Sequence, residues 1–578
     1  MYLSGLCREC LTNFNLQSSF KIEKKPLRRF GTQGEKMKKY IFVVGGVMSS
    51  VGKGVVSSSI ALILQNKGFR VTAVKADPYI NVDAGTMNPT EHGEVFVTDD
   101  ADETDQDIGN YERFLDTKIT RSNYMTTGRI YQSVIQKERN LAYGGKCVEV
   151  VPHIPEEIIE RITNASKESK SDITVVEIGG TVGEYQNILF LEAVRMMKMK
   201  RPNDVCVVLV SYLPIPGKVG EMKTKPTQYA ARTLNSTGLQ ADFIVCRAER
   251  EIDAPRREKL ATFCMIKPEN AISAPDVPLI YEVPLVFEKQ NFSDKILKTF
   301  HLKNRPTDLA QWEQIVKKAK SASNEVKIAV VGKYFGTGDF TLADSYISVI
   351  ESVKIACYHQ DLVAKFDWIN SEDFEKDQKK LQKLKNYDGI IVPGGFGSRA
   401  VEGIISAAKF ARQNKIPYLG LCYGMQIATI EFARNVADLK EANTEEIDPK
   451  TPHPVIHLMK TQKEILSKQK FGGTMRLGSY DCEIKRNSIA FRAYKKTKIS
   501  ERHRHRYEFN NKYRQQFEKL GLVCSGINKK HDLVEIIEIK NHPFFVGVQF
   551  HPEFKTRFMK PHPLFSAFIL EAKKRSSS

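Results

Sequence analysis

A cysteine, a histidine and a glutamate in the C-terminal half have the types and spacing of a nucleophilic site. Cys422 lies in residues 420–424 (GLCYG), after an apolar strand-like run and before a helical stretch that we predict to begin at Met425. The glycines permit the sharp turn of a nucleophile elbow, and the N-terminus of the following helix favours the thiolate. His551 and Glu553 follow a second apolar run, and positions i and i+2 of an extended segment face the same way. Glu553 can therefore orient the imidazole that activates the thiol.

Backbone donors for an oxyanion are expected beside the same cysteine. Gly394 and Gly395 follow a predicted strand at 390–393, and the N–H of Tyr423 would be a second donor. A lone G-x-C-x-G motif also fits a buried structural cysteine. Here the nucleophile, the base and the oxyanion loop each follow a strand, and this combination favours catalysis.

A glycine-rich loop near the N-terminus has the features of a phosphate site. Residues 45–54 (GGVMSSVGKG) stand between the first predicted strand and a helical run. Backbone N–H groups and the helix N-terminus can hold phosphates there, with Lys53 as a point charge. The loop departs from a Walker A motif, because Gly46 lies one residue too far back and Gly54 replaces the usual serine or threonine. The hydroxyl that would hold Mg²⁺ is therefore missing.

Carboxylates must then supply the metal ligands. Asp77 follows a strand that we predict to end at Lys75, Asp105 and Asp107 lie in a polar turn, and Glu177 ends a buried strand. A carboxylate at the carboxyl end of a parallel strand faces the ligand crevice, and hard oxygen ligands suit Mg²⁺. Any one of these acids also fits a solvated turn or a helix cap. Glu177 fits that alternative least, because its neighbours are apolar.

The elements that must position these residues indicate an α/β protein. Apolar, β-branched runs alternate with helical stretches, which is typical of a parallel sheet covered on both faces. We predict two doubly wound parallel-sheet domains joined by a linker. The expected segments are a disordered extension at 1–36, a first domain at 37–302, a linker at 303–325, a second domain at 326–571 and a tail at 572–578.

Composition narrows the class of protein. The chain has 578 residues and a formal charge of +19, but its basic residues are interspersed with acids, which favours triphosphate pockets over a nucleic-acid surface. The longest apolar runs are short, so we expect no membrane span. Ten irregularly spaced cysteines favour a reducing compartment, and we expect a cytoplasmic protein. Acidic residues within 1–36 argue against a transit peptide.

Longer motifs resemble those of the CTP synthase family, in family order from about residue 38 to residue 570. The first half matches at 45–54, 75–83 (KADPYINVD), 92–97 (HGEVFV), 177–183 (EIGGTVG) and 223–228 (KTKPTQ). The second half matches at 420–424, 472–478 (GGTMRLG) and 502–507 (RHRHRY). The resemblance implies an amidoligase (synthetase) domain followed by a class I glutamine amidotransferase domain.

The activity implied by this resemblance is the amination of UTP. The first domain would bind ATP, Mg²⁺ and UTP and phosphorylate the uracil O4. The second would hydrolyse glutamine through a Cys422 thioester, and ammonia would pass internally to displace the phosphate. The family also implies a homotetramer, with filaments as a candidate higher assembly, activation by GTP and feedback inhibition by CTP.

Site residues are carried over from the family at matching positions. Those for the ATP and UTP phosphates are Ser49, Ser50, Gly52, Lys53, Gly54 and Lys75, and those for Mg²⁺ are Asp107 and Glu177. Those for the pyrimidine nucleotide are Lys223, Lys225, Gln228 and Lys259. Those for glutamine and the oxyanion are Gly395, Tyr423, Gln426, Glu446 and Arg506. On this basis the basic run at 502–506 is interpreted as an arginine fork for an α-carboxylate, not as a nucleic-acid patch.

Four departures from the family pattern stand out. Glu184-Tyr185-Gln186 replaces the usual Asp-Ile-Glu, which puts CTP feedback in doubt. Tyr423 replaces a leucine, although we expect its role to be through the backbone. Residues 140–144 differ from the family, and 335–340 reads as a short insertion.

Two alternatives remain open from the residues alone. Another ATP-dependent glutamine amidotransferase, for instance one that amidates a carboxylate, would share the cysteine site and the phosphate loop. The motif at 223–228 distinguishes that enzyme from a CTP synthase, because an enzyme that amidates a carboxylate needs no pyrimidine site. A non-catalytic scaffold with a retired site is the second alternative, and the complete catalytic set argues against it.

Overall fold

The computed structural model describes residues 38–218, 220–332, 343–459 and 474–577. The predicted extension at 1–36, the predicted insertion at 335–340 and the first two glycines of the 472–478 motif lie outside the described residues. No helix in the described part of the chain is both long enough and apolar enough to cross a membrane.

The first domain is built on a parallel sheet. Its strands are β1 (Lys39–Gly45), β2 (Val71–Asp77), β5 (Tyr124–Thr126), β6 (Ile173–Ile178), β7 (Val205–Tyr212), β8 (Phe243–Ala248) and β9 (Ala271–Pro275), and a separate hairpin joins β3 (Phe96–Val97) to β4 (Glu103–Thr104). The seven strands lie in the order β5-β2-β6-β1-β7-β8-β9, all parallel. β1, β2 and β6 are buried along their whole length, as expected for near-continuous apolar strands covered on both faces.

Helices cover both faces of this sheet, with an apolar core on each side. They are α1 (Lys53–Asn66), α2 (Pro89–His92), α3 (Asp107–Leu115), α4 (Thr127–Arg139), α5 (Val150–Glu168), α6 (Ile188–Lys200), α7 (Lys225–Ser236), α8 (Ala254–Cys264), α9 (Val283–Lys289) and α10 (Phe292–Thr299). The strand and helix ends converge at the β1–α1, β2 and β6 termini, where the phosphate loop and the acids were predicted.

The second domain has a mixed sheet, where a wholly parallel one was predicted. Its strands are β10 (Asn324–Gly332), β11 (Leu362–Asn370), β12 (Gly389–Val392), β13 (Tyr418–Leu421), β16 (Arg476–Ile484), β17 (Lys498–His505), β19 (Leu522–Asn528), β20 (Leu533–Ile539) and β21 (Phe545–Val548). The order is β11-β10-β12-β13-β21-β20-β19-β16-β17. The first five strands are parallel, and from β21 onward the pairs are antiparallel. The short β19–β20 connection leaves no room for a crossover helix, so those strands pair antiparallel.

The remaining elements of the second domain surround this sheet. A small sheet contains β14 (Ala442–Thr444), β15 (His453–Leu458) and β18 (Tyr507–Phe509). The helices are α12 (Ile347–Tyr358), α13 (Glu372–Lys376), α14 (Val401–Gln413), α15 (Tyr423–Asn435), α16 (Ile489–Tyr494), α17 (Arg514–Lys519) and α18 (Pro563–Ser576). The helix after the nucleophile starts at Tyr423, two residues earlier than predicted, so Cys422 immediately precedes its first turn.

The predicted linker contains a helix, α11 (Ala310–Ser321), that packs on both domains. Trp312 on this helix is buried, and its Nε1 donates a hydrogen bond to the Tyr281 carbonyl at 2.8 Å. Its ring lies 4.3 Å from that of Phe558 in the second domain. The segment therefore contributes to the contact between the domains.

A buried ion-pair cluster also joins the domains. Glu112 of α3 is fully buried and accepts hydrogen bonds from Arg502, at 2.8 and 3.0 Å, and from Arg557, at 2.8 Å. Arg502 also donates to Asp99 at 2.7 Å. Burial disfavours a charged carboxyl, but the two guanidinium groups outweigh that effect and lower the pKa of Glu112. Separating the domains would strand these charges, so the pairs specify how the domains meet.

Candidate functional sites

Cys422 occupies a strained turn between β13 and α15. Its backbone has φ 50° and ψ −95°, and its side chain is buried. A Cβ on Gly424 would come 2.3 Å from the Val392 carbonyl oxygen, and one on Gly420 would come 2.7 Å from the Gly424 backbone. Both glycines are therefore required by close backbone approach, and together they present the sulfur at the N-terminus of α15.

His551 and Glu553 form a hydrogen-bonded pair beside this sulfur. The distance from Nδ1 of His551 to Oε1 of Glu553 is 2.7 Å. The predicted extended geometry is wrong, because a 3₁₀ turn (Pro552–Lys555) begins directly after the histidine. Burial opposes the charged imidazole, but the Glu553 carboxylate and the Cys422 sulfur outweigh it and raise the pKa of His551 to about 10. The arrangement favours an imidazolium next to the sulfur.

The sulfur faces a small cavity of about 120 Å³ lined by both domains. The second domain contributes Cys422, His551, Glu553, Gly394 and Gly395, among others, and the first contributes Asn88, Pro89, Glu94 and Val95. A Cβ on Gly394 would come 2.9 Å from the His551 ring, so this position needs a glycine. The glycine loop thus lies beside the nucleophile, as predicted.

Glu94 links the two sides of the cavity. Its carboxylate oxygens lie 3.2 and 3.4 Å from the backbone N of Ser348 in α12, and its own N–H donates to the Asp344 carbonyl. Burial and the nearby Glu553 carboxylate raise the pKa of Glu94 to about 8. Glu94 lies within the 92–97 motif, but the sequence predicted no role for it.

Among the predicted glutamine-binding residues, Gly395 lines this cavity, and Gln426, Glu446 and Tyr423 bind neighbouring backbone segments. Gln426 is buried and donates to the Tyr507 carbonyl at 3.1 Å, while Oε1 of Glu446 accepts from the Gly397 N–H at 2.8 Å. The hydroxyl of Tyr423 donates to the Gly397 carbonyl at 3.0 Å. Its side chain thus anchors the glycine loop, in addition to the backbone role expected for it.

The basic run at 502–506 does not form one arginine fork. Arg502 is engaged with Glu112, and Nε of Arg504 donates to Glu103 at 2.9 Å, so both guanidinium groups bind carboxylates of the first domain. Arg506 is half-buried in the bend between β17 and β18 and stays the predicted ligand of the substrate carboxylate. A sequence offers no means of telling which of three alternating arginines faces the domain interface.

The phosphate loop connects β1 to α1 as expected. Ser49 and Ser50 are exposed, and Gly52 has φ +88°, the conformation that only glycine adopts without strain. Lys53 is buried at the first turn of α1 and donates to the Gly180 carbonyl at 2.9 Å. A Cβ on Gly54 would come 2.1 Å from Oδ1 of Asp107. The acid therefore fills the place of the missing Walker A side chain.

The predicted acids converge on Lys75. Its Nζ lies 3.2 Å from Glu177 and 3.6 Å from both Asp77 and Asp105, and it also pairs with Asp107. Burial raises the pKa of Asp77 to about 6 and those of Asp105 and Glu177 to about 7. Although burial opposes it, Lys75 lowers the pKa of Asp107 to about 2. Asp77 is the last residue of β2, whereas we predicted that the strand would end at Lys75.

This cluster has the chemistry of a magnesium site. In the described ranges no three histidine, cysteine or acidic side chains are arranged to hold a metal ion, and Asp107 and Glu177 are paired with Lys75. Oδ2 of Asp77 is nevertheless buried with no hydrogen-bond partner, and several carboxylates crowd one lysine. Oxygen donors held at strand ends beside a phosphate loop fit Mg²⁺ bound to a triphosphate.

The predicted pyrimidine-binding residues lie further along the same domain. Lys223 pairs with Glu221 at 2.6 Å, Lys225 is exposed at the start of α7, and Gln228 is buried and donates to Thr224 at 3.1 Å. Lys259 is exposed on α8, which packs on α7. Their role in nucleotide binding stays a prediction.

Two protein-family models match the chain. The one described as CTP synthase N-terminus matches residues 39–302, and the one described as Glutamine amidotransferase class-I matches residues 341–570.

Curated relatives agree with these matches. A CTP synthase of Caldanaerobacter subterraneus subsp. tengcongensis is 49% identical over 534 residues, which cover 92% of this chain and 98% of the relative. A CTP synthase of Prochlorococcus marinus (strain MIT 9312) is 48% identical with the same coverage of 92% and 98%. The solved glutaminase domain of Trypanosoma brucei CTPS with bound acivicin is 37% identical, covers 43% of this chain and 94% of that chain, and has a TM-score of 0.40. The family models and the curated relatives show that the chain belongs to the CTP synthase family.

Proposed function

We propose that this protein converts UTP to CTP, using ATP to activate the uracil and glutamine as the nitrogen donor. The observation that carries the proposal is the cavity at Cys422, which is lined by residues of both domains. A free-standing glutaminase would have no need of a cavity wall supplied by a nucleotide-binding domain. Ammonia released at Cys422 would instead enter a space that the first domain helps to enclose.

Glutamine hydrolysis follows from the cysteine site. The Cys422 thiolate attacks the side-chain amide, a C–S bond forms, and the carbonyl electrons move to an oxygen stabilised by backbone N–H groups near Gly395 and Tyr423. When the carbonyl re-forms, the C–N bond breaks and the His551 imidazolium gives its proton to the leaving nitrogen, so ammonia departs neutral. Water, deprotonated by His551, then attacks the thioester and releases glutamate. Gln426, Glu446 and Arg506 would hold the substrate.

UTP activation is assigned to the first domain. Lys53 and Lys75, with the backbone of residues 49–54, would bind the phosphates of ATP and UTP. Asp107 and Glu177 would hold Mg²⁺, and the unpartnered oxygen of Asp77 makes that residue a further candidate ligand. When bound, Mg²⁺ would neutralise charge on the transferring phosphoryl group. Lys223, Lys225, Gln228 and Lys259 would bind the pyrimidine nucleotide.

Further properties come from family membership. We infer a cytoplasmic homotetramer that GTP activates and CTP inhibits, with filaments as a candidate higher assembly. Glu184 accepts a hydrogen bond from the Thr181 N–H at 3.0 Å, and Gln186 is exposed. Because Glu184 caps its own turn, we expect CTP feedback to differ from that of family members with Asp-Ile-Glu here.

The test is direct. The protein is incubated with UTP, ATP, Mg²⁺ and glutamine, and the products are quantified. CTP, ADP and glutamate should form in equal amounts. Omitting UTP should abolish ADP formation and leave a basal release of glutamate. Glutamate and ADP formed without CTP, but in response to a carboxylate acceptor, would support the alternative amidotransferase. The absence of every product would support the scaffold.

A further inference from the structure

Gln549 is a buried amide beside the nucleophile that the mechanism above does not use. It follows β21, two residues before His551, and its side chain is completely buried. Its Nε2 lies 3.6 Å from the Cys422 sulfur, and its Oε1 accepts a hydrogen bond from Nε2 of Gln426 at 3.4 Å. Its backbone N–H donates to the Glu535 carbonyl at 2.9 Å, which holds the strand in place.

The orientation of this amide is determined by a chain of hydrogen bonds. The Tyr507 carbonyl can only accept, so the Gln426 atom facing it, 3.1 Å away, must be the N–H₂ group. The same group then donates to Gln549, whose oxygen must face Gln426. The N–H₂ end of Gln549 is therefore directed at the sulfur.

We propose that Gln549 is a further catalytic residue of the glutaminase site, donating its amide N–H to the Cys422 thiolate. The inference rests on the proposed role of Cys422 as nucleophile. A hydrogen bond to a charged acceptor favours the charged form, so the donor raises the fraction of thiolate in the free enzyme. It also stabilises the sulfur as it regains charge, when water has attacked the thioester and the C–S bond breaks.

The charged and titratable side chains that line the cavity at the sulfur are His551, Glu553, Arg504 and Glu94. Glu94 faces the cavity from the first domain, and burial together with the Glu553 carboxylate raises its pKa to about 8. His551 faces the sulfur from the 3₁₀ turn, with Glu553 behind the imidazole. Arg504 of β17 presents its backbone carbonyl 3.8 Å from the sulfur, while its guanidinium is bound to Glu103. Gln549 is thus a neutral donor within 3.6 Å of the sulfur.

Two variants distinguish the loss of the Gln549 hydrogen-bond donor from a loss of packing. Gln549→Glu keeps an oxygen for Gln426 but replaces the donor by an acceptor, and Gln549→Leu removes both bonds at similar volume. The matched control is Gln360→Glu, another amide of the second domain, whose Nε2 donates to the Ser566 carbonyl at 3.0 Å. Ammonium-dependent CTP formation, which bypasses the thiol, and the unfolding midpoint report that each variant folds.

The readouts are alkylation of Cys422 by iodoacetamide across pH, glutaminase turnover, and intact mass after mixing with glutamine. Both Gln549 variants should move the alkylation midpoint upward by about one pH unit and lower turnover about tenfold or more. Bound glutamyl thioester should accumulate, because its breakdown needs the departing thiolate to be stabilised. The Gln360 variant should match the wild type in all three.

Two results would overturn the inference. One is an unchanged alkylation profile and turnover in both folded Gln549 variants. The other is a loss of turnover with no shift of the profile and no thioester, which would mean that Gln549 only packs. Alkylation needs neither UTP nor ATP, so a wild type that reacts normally but makes no CTP would sink the proposed function and leave this inference standing.

Discussion

Restoring the missing Walker A hydroxyl at position 54 should lower the rate of CTP formation. A serine at position 54 would return the residue that phosphate loops ordinarily use for Mg²⁺. The structure predicts the opposite effect for Gly54→Ser, because a Cβ there would come 2.1 Å from Oδ1 and 2.9 Å from Cγ of Asp107. That carboxylate cannot easily give way, since it pairs with Lys75 and accepts from Asn110 at 3.3 Å.

The size of the effect follows from the overlap. Overpacking a filled site costs about 1–3 kcal/mol, and here the strain falls on a proposed metal ligand. If that cost appears in the barrier to phosphoryl transfer, the rate falls about fivefold to 150-fold, since about 1.4 kcal/mol corresponds to a factor of ten. Gly54→Ala should lose a similar amount, because the clash comes from the Cβ and not from the hydroxyl.

The assay is CTP formation from UTP, ATP and ammonium, which isolates the first domain from Cys422. Basal glutaminase activity measured on the same preparations should be unchanged. Gly217→Ala is the matched control, because a Cβ at that glycine would meet nothing within 4 Å. A Gly54→Ser enzyme as active as the wild type would refute the reasoning, and so would a serine variant far better than the alanine variant.

Three further predictions test the remaining assignments. Cys422→Ala and His551→Ala should make no CTP from glutamine but should make it from added ammonium, and this activity should increase with pH because neutral ammonia is the nucleophile. Continued use of glutamine by either variant would mean that the thiol chemistry is misassigned. Glu177→Ala should abolish CTP formation while basal glutaminase activity persists, since it removes a proposed Mg²⁺ ligand from the other domain; normal CTP synthesis would exclude that role. Gln186→Glu should tighten inhibition by CTP about tenfold, because a hydrogen bond from the ligand to a carboxylate is worth about 1.5 kcal/mol or more; an unchanged inhibition constant would exclude a role in feedback.

Much of the cysteine site could be predicted because its parts are local. The turn at Cys422 needs glycines on both sides, and those are visible in five residues of sequence. His551 and Glu553 are separated by a single residue, so their pairing was correctly predicted although the backbone conformation between them was not. The long-range parts were less accessible. The antiparallel half of the second sheet was missed, because apolar runs do not state the direction in which strands pair.

The sequence alone determined the family, the two constellations and the elements that carry them, because each depends on residue types at short spacing. Only the tertiary structure decided which residues share a cavity or an interface. Arg502 and Arg504 proved to bind Glu112 and Glu103, which lie about four hundred residues away in the other domain. The orientation of Gln549 depends on Gln426 and the Tyr507 carbonyl, on separate elements. Such contacts arise from how whole domains pack, and a pattern within one segment carries no record of its partner in another.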